Sequence, residues 1–248
     1  MLNADRINMT ENIHFTIEGS YQYDAYHKGI CFQRSWHRLK YQKALKLLDV
    51  KKGDNVLDAA CGSGVLTDLI AGHEASKVTG VDFNEAAIRF CKSTYTKTNL
   101  DFFTLDLTQK HFDESTFDKI VMLETIEHLE PDVADVILKN LHYYLKPGGK
   151  LVLSTPNKRS AWPIIESTLD LFRLTPKMKN EQHVKLYYSK SLSDVLKAAG
   201  FKIAKVEASH FIAPWLSFLG LKTSEKIHAF EERINFLPGS LLFVVAEK

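Results

Sequence analysis

Between Asn55 and Pro156, short apolar runs alternate with longer segments of helical periodicity, and this alternation leaves the chain few architectures. VLDAA, KVTGVD, DFFTLD, FDKIVML and KLVLST are five to seven residues long, the length of strands. IVML and LVL show no polar alternation, so those strands expect cover on both faces. Helical segments lie between. One runs from about Gly64 to Ala71, and a second is NEAAIRFCKSTYTKT with Asn84 as its N-cap. A third, PDVADVILKNLHYYL, has Pro131 in its first turn and an apolar stripe of Val133, Val136, Ile137, Leu141, Tyr144 and Leu145. The pattern predicts an α/β fold with a doubly wound, mainly parallel sheet.

The flanks extend this frame. Upstream, WHRLKYQKALKLL sets Leu39, Ala44, Leu45 and Leu48 on one helical face before Lys52-Gly53 breaks the helix. Downstream of Pro156, an insert leads to the helix SLSDVLKAAGF, for which Ser191 is a candidate cap. Two terminal strands, about 202–208 and 241–246, are expected as an antiparallel pair at one sheet edge, on either side of the apolar excursion FIAPWLSFLGL. At 248 residues, 45% hydrophobic and 25% charged, the chain can bury a sizeable core. A net charge of +2 offers no field for nucleic acid, which argues against RNA or DNA as substrate. Cys31, Cys61 and Cys91 have no CxxC spacing, so neither a zinc knuckle nor a disulfide framework is indicated, and a cytoplasmic setting fits. MLNADRINMTEN lacks the apolar core of a signal peptide, and no run reaches the roughly 18 apolar residues of a membrane span.

VLDAACGSGVL puts Gly62 and Gly64 at a strand-to-helix turn, where glycine lets backbone approach a ligand. Dinucleotide-binding domains use the same turn, but their third glycine would fall at Thr67. Asp58 would repel a pyrophosphate, and no basic residue stands nearby to neutralise one. A carboxylate there suits a cationic ligand. Asp82 ends the second predicted strand, 18 residues beyond Gly64, where it can accept both hydroxyls of a ribose. Phe83 can pack on a purine, and Asp106, read as the end of the third strand, can accept from an exocyclic amine. An adenosine with a cationic group and no phosphates describes S-adenosylmethionine.

VLDAACGSG, GVD with Asp82, LD with Asp106 and LKPGGKLVLSTPN together resemble the ordered motifs of class I methyltransferases, over about residues 53–157. Ala60 departs mildly from the family's usual glycine. A looser resemblance, to the ubiquinone-biosynthesis O-methyltransferases, rests on WHRLKYQKAL, ETIEH and STPN followed by an apolar insert. The resemblance implies a single methyltransferase domain over 1–248, with a helical cap over 1–50, a cofactor core over 53–157 and lid or substrate inserts over 158–190 and 210–238. It implies about seven strands, the last antiparallel. It also implies that Asp58, Ala60, Gly62 and Gly64 cradle the methionine side of S-adenosylmethionine, with Arg38 on its carboxylate. Asp82 and Phe83 would meet its nucleoside, Asp106 and Leu107 its adenine, and Leu123 would border it.

LETIEHL gathers Glu124, Glu127 and His128 at the end of the fourth predicted strand, facing the crevice where strand order reverses. Glu127 and His128 would face the acceptor. His128 is a candidate base for a phenol or catechol oxygen, with an ordinary pKa near 6.5. Glu124, Glu127 and His128 are alternatively ligands for a divalent ion, as in the metal-dependent E-x-x-E-H enzymes that the motif resembles. A structural role, with Glu127 at the N-terminus of the next helix, stays open. His183 is a lone loop histidine, either reaching the pocket or incidental to it. Residues 158–179 are apolar with basic flanks, which suits either peripheral membrane contact or a lid packed on itself or on a homodimer mate. The expected reaction is O-methylation of a small or lipid-like acceptor. An RNA methyltransferase and a cofactor-binding protein without turnover are the alternatives.

Overall fold

A computed structural model describes residues 18–73, 75, 77–163, 183–234 and 239–248, so most of the expected apolar insert over 158–179 and the end of the 210–238 insert lie outside the described residues. Two helices open it, α1 (Tyr21–His27) and α2 (Cys31–Leu48). The alternating part follows as β1 (Asn55–Ala59), α3 (Val65–Ala71), β2 (Lys77–Asp82), α4 (Glu85–Thr94), β3 (Leu100–Thr104) and β4 (Phe117–Leu123). After a 3₁₀ turn (Ile126–His128) come α5 (Pro131–Tyr144) and β5 (Leu145–Pro156). The chain closes with α6 (Ser189–Ala198), β6 (Lys202–Ser209), a 3₁₀ turn (Trp215–Leu219), α7 (Leu221–Ile234) and β7 (Leu241–Glu247).

The seven strands form one sheet in the order β3-β2-β1-β4-β5-β7-β6. All neighbours are parallel except β7, which runs antiparallel to both β5 and β6. The order reverses between β1 and β4, the position at which an open α/β sheet forms its ligand crevice. Strand residues divide between two apolar layers. Val56, Val121, Val152 and Val245 face α2 and α3, whereas Leu57, Ile120, Leu151 and Val244 face α5 and α6. This two-sided burial explains the unbroken apolar runs.

Local signals set most boundaries. Asn84 Oδ1 accepts from the backbone N–H groups of Ala86 (2.9 Å) and Ala87 (3.3 Å) and starts α4. In α5 the buried stripe is Val133, Ala134, Ile137, Leu138, Leu141 and Tyr144, so Val136 is displaced to its half-buried margin. Ser191 is not the cap of α6. That helix begins at Ser189, and the Ser191 hydroxyl reaches back to accept from Tyr188 N–H at 3.0 Å. The terminal strands do pair antiparallel, but β7 lies inside the sheet and β6 alone forms the edge.

The helix α2 buries more than its predicted face. Leu39, Ala44 and Leu48 are buried and Leu45 is half-buried, while Trp36, Lys40 and Lys43 are buried too. Lys43 bonds Glu207 of β6 (2.6 Å) and Glu232 of α7 (2.7 Å). A buried ammonium without partners is costly, so these carboxylates let α2 lie flat against the sheet. The pKa of Glu232 is held down at about 2: burial raises it, and the two lysines beside it, Lys43 and Lys46, more than reverse that.

Candidate active site

A cavity of about 210 Å³ opens at the switch point between the carboxyl ends of β1 and β4, under α1 and α2. Its β1 wall carries Asp58, Ala60 and Cys61, and its β4 wall Leu123, Glu124, Glu127 and His128. Further lining comes from Tyr21 and Gln22 of α1, from Phe32, Trp36, His37, Lys40 and Tyr41 of α2, and from Trp162 and His183.

On the β1 side the loop 60–64 turns through three left-handed residues: Ala60 (φ 61°), Gly62 (φ 53°) and Gly64 (φ 74°). Ala60 bears the strain that a glycine would avoid, on the order of 1 kcal/mol, so its departure from the family pattern concerns backbone conformation rather than size. At Gly64 a Cβ would stand 2.8 Å from Cys91 Sγ and 2.9 Å from the Phe102 ring. Asp82 Oδ2 accepts from Gly62 N–H (2.8 Å), and Oδ1 accepts from Asn84 N–H (2.9 Å). The strand end and the glycine loop are thereby locked together, while each oxygen keeps a lone pair for another donor.

Asp58 is buried in β1 itself rather than in the turn, and accepts from Thr67 Oγ1 at 2.7 Å. Burial pushes its pKa up to about 7, against the pull of the Thr67 hydroxyl, with the Asp82 charge adding to the rise. Burial raises Asp82 as well, against its backbone donors. Among the described residues no lysine or arginine pairs with either carboxylate. This donor set fits a ligand carrying positive charge and hydroxyl groups, as S-adenosylmethionine does.

Several expected contacts lie outside the cavity wall. Arg38 is half-buried with its guanidinium 5.4 Å from the Tyr26 ring centre, and the α2 cation that lines the cavity is Lys40. Asp106 falls two residues past the end of β3, in a turn where its Oδ1 accepts from Thr108 N–H and Oγ1. Phe83 is half-buried against the main core and Leu107 is buried within it. These stand at the β2 and β3 ends, beyond the cavity itself.

On the β4 side Glu124, Glu127 and His128 of ETIEH part ways. Glu124, in left-handed conformation (φ 47°), turns to the Lys40 ammonium and forms an ion pair. Burial would raise its carboxyl, but Lys40 prevails and holds it below the ordinary value. Glu127 is 1% exposed and accepts from Thr155 Oγ1 of β5 at 2.9 Å. Burial raises its pKa, opposed by His128 and His183. It does not sit on a helix N-terminus, because α5 starts only at Pro131. His128 Nε2 lies 3.9 Å from Glu127 Oε1, and the His128 and His183 ring centres are 5.0 Å apart. Glu127, His128 and His183 each offer a ligand atom, and all three atoms lie within 4.8 Å of one another. His183 therefore takes the place expected for Glu124. Its segment is held there by the backbone of the motif, since Glu127 C=O accepts from Val184 N–H (2.8 Å) and Lys185 N–H (3.1 Å).

A seven-stranded sheet with one inner antiparallel strand, a left-handed glycine loop after β1 and an acid ending β2 define the class I methyltransferase architecture. The methyltransferase-domain family model matches residues 33–206, and the chain belongs to that family of S-adenosylmethionine-dependent enzymes. Over 179 residues it is 32% identical to a ubiquinone biosynthesis O-methyltransferase of Coxiella burnetii, covering 70% of this chain and 73% of that one. A solved S-adenosylmethionine-dependent methyltransferase from Archaeoglobus fulgidus superposes with a TM-score of 0.62 at 21% identity, covering 92% and 99% of the two chains. The N-methyltransferase NodS of Bradyrhizobium japonicum, solved with S-adenosylhomocysteine, superposes at 0.57 with 18% identity, covering 86% and 87%. The chain is thus an S-adenosylmethionine-dependent methyltransferase.

Proposed function

We propose that the protein methylates an aromatic hydroxyl, of the phenol or catechol type found in quinone precursors. The observation that carries this reading is the Glu127–His128–His183 cluster on the wall opposite Asp58. Methyl transfer is an in-line displacement at carbon, so the protein's main task is to hold oxygen, methyl and sulfur collinear. A hydroxyl acceptor must in addition lose its proton, and this cluster supplies the groups for that. The 32% identity to an O-methyltransferase supports an oxygen acceptor.

In this reading Asp58 faces the positive methionine end, Asp82 receives the ribose hydroxyls, and Lys40, rather than Arg38, meets the methionine carboxylate. Gly62 and Gly64 give that ligand its close backbone approach, and Leu123 borders it. Glu127, His128 and His183 would hold a divalent cation, which when bound lowers the pKa of the acceptor hydroxyl and orients its oxygens. Thr155 fixes the Glu127 carboxylate through its 2.9 Å hydrogen bond. The spacing of His128 and Glu127 also favours a second reading, in which His128 takes the proton itself and Glu127 steadies the imidazolium.

A screen of catechols, prenylated phenols and short RNA, read by S-adenosylhomocysteine release, tests the acceptor class. The proposal expects turnover with catechols, and turnover confined to RNA would refute it. Chelation followed by magnesium or zinc addition then separates the two readings. Activity lost and restored supports the cation, whereas activity indifferent to chelator assigns the proton to His128 alone.

A further inference from the structure

Large apolar side chains are exposed together in one stretch. Phe218 is 71% exposed and Leu219 57%, next to the partly exposed Trp215, Phe211 and Ile212. The segment is not loosely attached. Glu231 of α7 accepts from Ile212 N–H (2.7 Å) and Ala213 N–H (2.9 Å), and Ser224 Oγ bonds Ala213 C=O and Ser35 Oγ, both at 2.6 Å. A stretch anchored so firmly holds its apolar tip outward at a cost in solvation that a partner surface would offset.

The helix that follows is polarised by charge. Two of its acids face inward: Glu231 onto the segment just described and Glu232 onto Lys43 and Lys46. Lys222, Lys226, Phe230 and Arg233 are exposed, and their spacing of four, four and three residues sets them on one side of α7. The third acid of the helix, Glu225, is half-buried at the flank of that side, so the fully exposed charges there are the three cations, with an exposed ring among them. Trp215 links this face to the cavity, since its ring centre lies 4.5 Å from that of Phe32 on the cavity wall.

We infer that Trp215–Leu219 and the outer side of α7 dock on an anionic phospholipid surface, alongside the cavity wall formed by Phe32. An apolar tip and a basic stripe are the two features that interfacial binding combines, and neither suffices alone. Each lysine near an anionic leaflet multiplies partitioning by roughly fivefold. Docked this way, a lipophilic acceptor would pass from the bilayer to the cavity beside the Phe32–Trp215 pair. The inference is separate from residues 158–179 and does not depend on which acceptor atom is methylated.

Co-sedimentation of the full chain with phosphatidylcholine vesicles, with and without phosphatidylglycerol, tests it. The wild type is expected to bind the anionic vesicles and to lose binding as salt rises. Phe218→Ser with Leu219→Ser, and separately Lys222→Glu with Lys226→Glu, should each lower partitioning by more than tenfold. S-adenosylmethionine affinity, measured on the same samples, should stay unchanged and so report intact folding. Wild type that ignores anionic vesicles, or variants that bind as well as wild type, would overturn the inference. So would a wild-type dimer in sedimentation velocity that either double variant dissociates without any vesicle binding, since that outcome assigns the face to a second copy of the chain.

Discussion

At the ends of β1 and β2, Asp58 and Asp82 stand buried with no lysine or arginine paired to them among the described residues, whereas at the end of β4 Glu124, which shares the cavity wall with Asp58, is matched to Lys40. The first wall is electrostatically incomplete and the second is internally balanced. Burial decides the protonation of Asp58, raising it to about 7, but a neighbouring ammonium decides that of Glu124 and lowers it. A wall of uncompensated carboxylates is suited to a cationic cofactor. A balanced wall beside the Glu127, His128 and His183 cluster is suited to the proton or metal chemistry proposed for the acceptor.

The contrast can be broken from either side. The largest effect is expected from Asp82→Ala, which removes the carboxylate proposed to receive both ribose hydroxyls and frees the glycine loop at Gly62. At about 2 kcal/mol per contact, S-adenosylmethionine affinity should fall on the order of 10³-fold in calorimetry. Next comes Lys40→Met, which leaves Glu124 buried beside no cation and should cost about 3 kcal/mol in denaturant unfolding at pH 7. The sign with pH follows from Glu124. Its folded pKa lies below the unfolded value, so its stabilisation is present above about 4.5 and fades as pH falls through the lowered folded value. The deficit of Lys40→Met should therefore shrink on acidification.

The smallest of these effects concerns Asp58. A cation binds its ionised form, so cofactor affinity should drop about tenfold per pH unit below 7 and level off above it. Asp58→Asn should flatten that profile between pH 5.5 and 7.5. A slope surviving in the variant would assign the titration to another group.

The central strands were legible because burial on both faces leaves unbroken apolar runs, their order only through the family resemblance, and Asn84 announced α4 by cap chemistry. Asp82 was legible as the acid ending a strand. Lys40 was not singled out, although a signal existed. Trp36, Lys40, Lys43 and Leu47 follow helical spacing on a buried side of α2, and two lysines there demand acidic partners. Arg38 matches the arginine that the resembled family sets on the methionine carboxylate, yet here its guanidinium lies over the Tyr26 ring. His183 was legible only as a loop histidine that could reach the pocket, and nothing in the sequence paired it with His128. Its approach to His128 depends on two backbone hydrogen bonds to Glu127, which no spacing encodes. The preference of Glu124 for Lys40 was hidden for the same reason, since 84 residues separate the pair.

The division of labour between the two walls is tested most directly by His183→Ala. S-adenosylmethionine affinity by calorimetry and methyl transfer to a catechol should be measured on the same preparation. The expected result is affinity within about twofold of wild type and turnover lowered at least 10²-fold. Turnover at the wild-type rate, or cofactor affinity lost in parallel with turnover, would contradict the separation of a cofactor wall from an acceptor wall.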